Sequence, residues 1–403
     1  MDHRLVRGIE QALDWDSASG LGRSFARGSL ADLKLCERLL TPERLLDLAM
    51  RRTMSAARIR CLQNGVDVHP QAYLTTRPMR RAEALQMVDM RRLGQLLRAG
   101  CTVVLDAINV YDPTLEVACR ALQWWSRELV QVNAYLTTGD AAGFQLHWDD
   151  HDVVVVQVAG EKSWEVRGLS RPVPMFRDAV PNFDAPDEIV WNGTMHAGDV
   201  MHIPRGYWHQ ATRQDRGDGY SLHLTFGFPK RTGVDYLTWL ADQSRQEELL
   251  RHDVIRWDSH VQRNEQQLAF TDLAISLVAT CSVDEFLTAR EFELPAARHV
   301  TTGGLFGTPK AVVCMTEFRP RIIVQSDNVM VSAVGKEIGF AWKALPALEL
   351  LLSGRLMEID KVTAATGVDA AVLAQVLVAE EICAEVTSEL ASGYSDLLTA
   401  EGQ

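Results

Sequence analysis

Three side chains in this sequence have the types and spacing to hold a metal ion: His147 and Asp149, which flank Trp148, and His209 further along the chain. In an extended strand, residues i and i+2 point to the same face. His147 and Asp149 therefore present an imidazole and a carboxylate together. His209 closes the run Gly198-Asp199-Val200-Met201-His202-Ile203-Pro204-Arg205-Gly206-Tyr207-Trp208-His209. Gly-Asp reads as a turn, the next residues as a short strand, and Pro204 and Gly206 shape a bend that delivers His209. Two histidines and one carboxylate make the facial triad of non-haem Fe(II), which leaves coordination positions open for reactants. The competing reading is three satisfied polar residues inside a barrel. Among neighbours, His151, His196 and His202 are competitors; His151 shares the parity of His147 and is the nearest substitute, His202 lies outside the motif, and neither Asp150 nor Asp152 is read as a ligand.

The elements that must position these residues are strands. Val130 to Leu136, Asp152 to Val158, Ser163 to Val166, Val200 to Pro204 and Ser221 to Phe228 are short β-branched runs separated by turn signals, which predicts an antiparallel barrel or jelly roll. Gly160 is read as a turn between two of them. The connection from Gly168 to Trp191 is rich in Pro and Asp and reads as an access loop at the barrel mouth. Residues 1–100 read as mostly helical. Thr41-Pro42-Glu43 looks like an N-cap, a Pro at N1 and a first-turn acid, and Glu83 to Leu97 has apolar residues at helical spacing. Residues 231–295 read as two or three amphipathic helices. In 296–403, a β-rich stretch is followed by three short helices and a strand, an order that resembles a winged helix.

The 403 residues carry a net charge of −12, which argues against nucleic acid as the main partner, since phosphate binding needs a concentrated basic surface. From Leu345 onward there are two basic residues against ten acids, so the winged-helix-like part reads as a packing or protein-contact module. The acidity suits a basic protein or peptide substrate, or simply aids solubility. No apolar stretch approaches the roughly 20 residues of a membrane span, and no secretory signal is read at the start. Seven scattered cysteines without a CxxC pair fit reduced thiols in a cytoplasm.

Lys162, two residues after Gly160, reads by itself either as a solvated hairpin residue or as a cation that anchors a carboxylate. A wider pattern bears on the choice. It comprises Gln131-Val-Asn133-Ala-Tyr135-Leu-Thr137, Gly143-Phe144, His147-Trp-Asp149-Asp150, Gln157-Val-Ala-Gly160-Glu-Lys162-Ser-Trp164, Pro204-Arg205-Gly206 with His209, and Ser221-Leu-His223-Leu-Thr225. From about Gly100 to Phe228 it resembles the ribosomal-oxygenase branch of the JmjC cupins. The resemblance implies an α+β fold: a double-stranded β-helix (cupin, jelly-roll) over 101–230, with a helical N-terminal part, a helical dimerisation segment over 231–295 and a winged-helix-like domain over 296–403. It implies Fe(II) on His147, Asp149 and His209, and 2-oxoglutarate and O2 as cosubstrates. Lys162 would bind 2-oxoglutarate, with Asn133, Tyr135 and Thr225 around it. The implied activity is hydroxylation of a side-chain carbon in a protein or peptide, such as an Arg or His of a ribosomal protein, by a homodimer. A cupin acting on a biosynthetic peptide or small molecule, a methyl-lysine demethylase and a non-catalytic binding module remain as alternatives.

Overall fold

The computed structural model describes residues 1–79, 82–175, 183–292 and 299–398. Among the described residues, thirteen strands precede residue 230. They are β1 (Ala26–Ser29), β2 (Ile59–Gln63), β3 (Val66–Asp67), β4 (Leu74–Met79), β5 (Ala82–Val88), β6 (Thr102–Leu105) and β7 (Gln131–Thr138). There follow β8 (His147–Trp148), β9 (Asp152–Leu169), β10 (Ile189–His196), β11 (Asp199–Ile203), β12 (Tyr207–Thr212) and β13 (Tyr220–Phe228). The larger layer runs β1-β11-β9-β13-β7-β6-β2-β3, and the smaller layer is made of β10, β12 and β8 around the second half of β9. Every pairing in both layers is antiparallel. This is the double-stranded β-helix expected of a cupin.

Strand β9 belongs to both layers. Its residues 152–160 pair with β13, and 161–167 pair with β10. The expected turn at Gly160 is absent: the strand runs straight through it. Gly160 has φ +63°, and a Cβ there would lie 1.9 Å from the Tyr220 carbonyl oxygen, so only glycine fits this crossing. One extra residue, Val158, sits opposite the Leu222–His223 step as a β-bulge. Before the bulge, Val153 and Val155 point between the layers. After it, Trp164 and Val166 join them there. Val154, Val156 and Val158 face the other way, into the main core. The unbroken Val153–Val156 run thus reflects a strand covered on both faces.

That main core is closed by helices lying on the outer face of the larger layer. They are α1 (Arg4–Leu13), α2 (Lys34–Leu39), α3 (Pro42–Arg51), α4 (Met90–Ala99) and α5 (Pro113–Ser126), which contribute Leu5, Ile9, Leu35, Leu39, Leu45 and Leu115 among others. Thr41 caps α3 by accepting from Arg44 N–H, and Asp112 caps α5 by accepting from Leu115 N–H. Buried Asp112 also pairs with Arg44 at 2.7 Å. The expected single helix over Glu83 to Leu97 is instead strand followed by helix. Asp89 caps α4 and fixes its start, and 82–88 pairs with β4. Hairpin pairing overrides a local spacing that suits either structure.

The chain divides into two compact units, 1–229 with 299–319 and 343–403, and 230–298 with 320–342. The first includes β14 (Ala311–Cys314) flanked by two short strands, Met357–Glu358 and Cys383–Glu385, with helices Leu345–Leu351, Ile359–Thr366 and Ala370–Ala379. These helices match the three expected there. The second unit holds helices Gly233–Gln243, Glu248–Arg251, His260–Thr280 and Val283–Glu291 and a three-stranded sheet over 321–341. Tyr236, Trp239 and Phe286 pack together in it. The Gly168–Trp191 connection is occupied at its ends by β9 and β10; its residues 176–182 lie outside the described residues. Among the described residues, no helix is long and apolar enough to cross a membrane.

Candidate metal and cosubstrate site

Strands β8 and β12 pair so that His147 lies directly opposite His209. The ring centroids are 4.4 Å apart. Asp149 follows β8, and its Oδ2 lies 3.5 Å from His209 Nε2. The backbone holds it there, because Gly206 N–H donates to the Asp149 carbonyl at 2.9 Å. One ligand atom from each of the three residues lies within 4.8 Å of the others. The bend at Pro204 and Gly206 thus brings the third residue to the first two, and the three gather at one point.

Both imidazoles are oriented by their own chain. His147 Nδ1 donates to the Gln145 carbonyl at 2.8 Å, and His209 Nδ1 to the Tyr207 carbonyl at 3.1 Å. A proton on Nδ1 leaves the Nε2 lone pair for a metal. Burial, then the neighbouring His147, lowers the His209 pKa to about 4, so this ring is neutral at neutral pH. The donor set, two imidazole nitrogens and one carboxylate oxygen, fits Fe(II) or another borderline divalent ion. The other histidines serve elsewhere. His202 Nδ1 donates to the Ser24 carbonyl and its Nε2 accepts from Gly22 N–H. His151 pairs with Asp150 at 3.5 Å, and His196 with Glu161 at 3.4 Å. Asp152 accepts from Arg205 N–H at 2.8 Å.

The three residues open onto a cavity of about 280 Å³ between the layers, which Lys162 also lines. Lys162 is 2% exposed. Its Nζ donates to Thr137 Oγ1 at 3.1 Å, and among the described residues no carboxylate pairs with it. Burial, and after it Arg213, lowers its pKa to about 7. The solvated hairpin residue considered from sequence is thereby excluded, because the bulge in β9 turns this side chain inward. Asn133, Tyr135 and Thr225 line the same cavity. Asn133 Oδ1 accepts from Ala107 N–H at 2.9 Å, and Thr225 lies opposite Asn133 on β13. Burial, then Asp106, pushes the Tyr135 phenol up, while a hydrogen bond from Asn133 opposes the shift.

Two polar lining residues, Arg60 and His223, had no assigned role from sequence. Arg60 pairs with Asp106 at 3.1 Å and lies over the Phe144 ring. His223 stacks on Tyr135 at 4.7 Å. The alternation of β13, in which Ser221, His223 and Thr225 share a face, was the available signal for His223. None existed for Arg60, which reaches the cavity through the β2–β6 pairing.

Residues 111–236 match the JmjC domain family. The chain is 34% identical over 138 residues to the bifunctional lysine-specific demethylase and histidyl-hydroxylase NO66 of Caenorhabditis elegans, covering 32% of this chain and 18% of that one. It is 33% identical over 146 residues to human ribosomal oxygenase 1, covering 35% of this chain and 22% of that one. The match therefore spans about a fifth of these relatives' length. Among solved structures, YcfD, a ribosomal oxygenase from Escherichia coli in complex with cobalt and 2-oxoglutarate, superposes with a TM-score of 0.51 at 15% identity. That superposition covers 90% of this chain and 95% of that one, a likeness of fold.

Proposed function

Given a chain that carries a JmjC domain, we propose that it is an Fe(II)- and 2-oxoglutarate-dependent dioxygenase that hydroxylates a side-chain carbon of a protein or peptide. The observation that carries this reading is one cavity lined by both the His147, Asp149 and His209 cluster and an unpaired, buried Lys162. Such a lysine is costly without an anion, and the distal carboxylate of 2-oxoglutarate supplies one.

With Fe(II) and 2-oxoglutarate bound, the site would supply oxidative decarboxylation to succinate and CO2, coupled to insertion of one oxygen atom of O2 into a substrate C–H bond. The protein's own part is positioning. His147, Asp149 and His209 offer one face of donors and leave the remaining positions to cosubstrate and O2. Lys162, oriented by Thr137, takes the distal carboxylate. Asn133, held by Ala107 N–H, lines the space with Tyr135 and with Thr225 opposite it on β13. Val153, Val155 and Trp164 exclude water from the same space.

For the substrate we favour a basic segment of a protein, with a ribosomal-protein Arg or His as the first candidate. The net charge of −12 and the names of the relatives support this. We also read residues 231–295 as a dimerisation segment. The His260–Thr280 helix buries none of its residues, and Leu268 and Ile275 are 65% and 63% exposed. A solution mass near twice the 45.0 kDa chain mass is expected, and a monomer would refute it. The seven cysteines form no disulfide among the described residues, which fits a reducing compartment such as the cytoplasm.

The deciding experiment is turnover of 2-oxoglutarate to succinate with Fe(II) added anaerobically before O2, in wild type, His209→Ala and Lys162→Ala. Wild-type turnover lost in both variants is the expected result, followed by stimulation with basic peptides. Metal binding without 2-oxoglutarate binding or turnover in wild type would refute the reading and leave another cupin chemistry or a binding module.

A further inference from the structure

The cavity holds a second polar ring whose nitrogens the protein leaves unbonded. His223 is 2% exposed, and its Nδ1 is buried with no hydrogen-bond partner. The ring lies flat on Tyr135, its cross-strand neighbour, with 6° between the planes. Trp164 meets it edge-on at 5.3 Å and 69°. Held on both sides, the imidazole has little freedom to turn. His202 of the same barrel shows how a purely structural buried histidine is satisfied, with both of its ring nitrogens bonded to the backbone.

The sealed Nδ1 carries a lone pair at lower cost than it would carry an unpaired proton, because orphaned buried N–H groups are the rarer case. The proton therefore sits on Nε2, the nitrogen open to the cavity, which makes His223 a donor there. Burial and the nearby Lys162 ammonium keep the ring neutral. Lys162 Nζ and His223 Nε2 thus face the cavity as donors, with Thr137 Oγ1 bonded to Lys162 and no carboxylate paired with either among the described residues. That arrangement suits an anion with several lone pairs and one negative charge, which is a carboxylate.

Resting on the dioxygenase reading above, we infer that His223 is a cosubstrate-binding residue, its Nε2–H donating to the same distal carboxylate that Lys162 holds. It then favours 2-oxo dicarboxylates over 2-oxo monocarboxylates. The test is calorimetric binding of 2-oxoglutarate and of 2-oxobutyrate to Mn(II)-loaded protein without O2. His223→Phe keeps a flat ring on Tyr135 and removes the donor; His223→Gln restores one. His223→Phe should weaken 2-oxoglutarate binding about 10- to 100-fold, the usual range for a hydrogen bond to a charged group. Its Mn(II) and 2-oxobutyrate affinities should match wild type, and His223→Gln should recover part of the loss. In wild type loaded with Zn(II), the His223 imidazole N–H proton resonance should move downfield when 2-oxoglutarate is added, a readout that holds even where a variant misfolds. Unchanged 2-oxoglutarate binding in His223→Phe, an equal loss for both ligands, or an unmoved resonance would each overturn the inference while leaving the dioxygenase reading standing. Wild-type protein that binds Mn(II) but no 2-oxoglutarate would bring down both.

Discussion

Replacing Lys162 with Met should make the protein more stable and abolish its capture of 2-oxoglutarate. The ammonium pKa falls from 10.5 to about 7 on folding. Between those values the unfolded chain holds a proton that the folded chain lacks, so stability rises with pH across this window. At pH 8 the folded protein gives up that proton at a cost of about 3 kcal/mol, at about 1.4 kcal/mol per pH unit below 10.5. Met removes this cost and leaves the Thr137 hydroxyl without its partner, worth about 1 kcal/mol. The net gain is about 2 kcal/mol at pH 8, or roughly 4 °C in Tm, shrinking toward zero or below as pH approaches 10. Binding requires the opposite charge state. Because 2-oxoglutarate selects protonated Lys162, wild-type affinity should fall about tenfold per pH unit above 7, with proton uptake visible when titrations are repeated in buffers of different ionisation enthalpy. Thermal melts at pH 7 to 10 and calorimetry on both proteins test this. A variant no more stable than wild type at pH 8, or a wild-type Kd flat from pH 7 to 9, would refute the reasoning.

Thr137→Val removes the hydroxyl that orients Lys162 Nζ and should weaken 2-oxoglutarate binding about 3- to 10-fold without changing Mn(II) affinity, both measurable by titration calorimetry. Gly160→Ala puts a Cβ 1.9 Å from the Tyr220 carbonyl oxygen at φ +63°, and should cost roughly 3 kcal/mol or more in denaturant melts. Asp112→Ala uncaps α5 and removes the carboxylate partner of Arg44, which keeps its bond to Thr114 Oγ1; a loss of about 1 to 2 kcal/mol in the same melts is expected.

The metal cluster was legible because its signal is local: His147 in a short strand, Asp149 just past its end, and a short bend that ends on His209. Helix starts were legible where a capping side chain marks them, as at Thr41. Misreadings came where distant pairing decides. Gly160 has the neighbours of a hairpin turn, and only strands β10, β12 and β13, far along the chain, keep β9 extended through it. Glu83 to Val88 carries a spacing that either a helix or a strand accepts, and β4 decides. Lys162 was ambiguous for the same reason, since its direction depends on a bulge that no residue type announces. His223 was signalled only by the alternation of β13, and Arg60 reaches the cavity through sheet register, which local sequence does not encode.

The bulge at Val158 also sets how this chain can change over generations. Phase is counted along β9 residue by residue, and the extra residue advances the count by one between Val155 and Lys162. Deleting any single residue from Val156 to Ala159 would undo the advance and rotate Lys162 and Trp164 outward, while the paired histidines of β8 and β12 kept their places. The lineage can therefore exchange one apolar side chain for another of similar size along this buried stretch but cannot shorten it by one codon without silencing the site. Length changes are confined to the connections that lie outside the count, such as the one between β9 and β10.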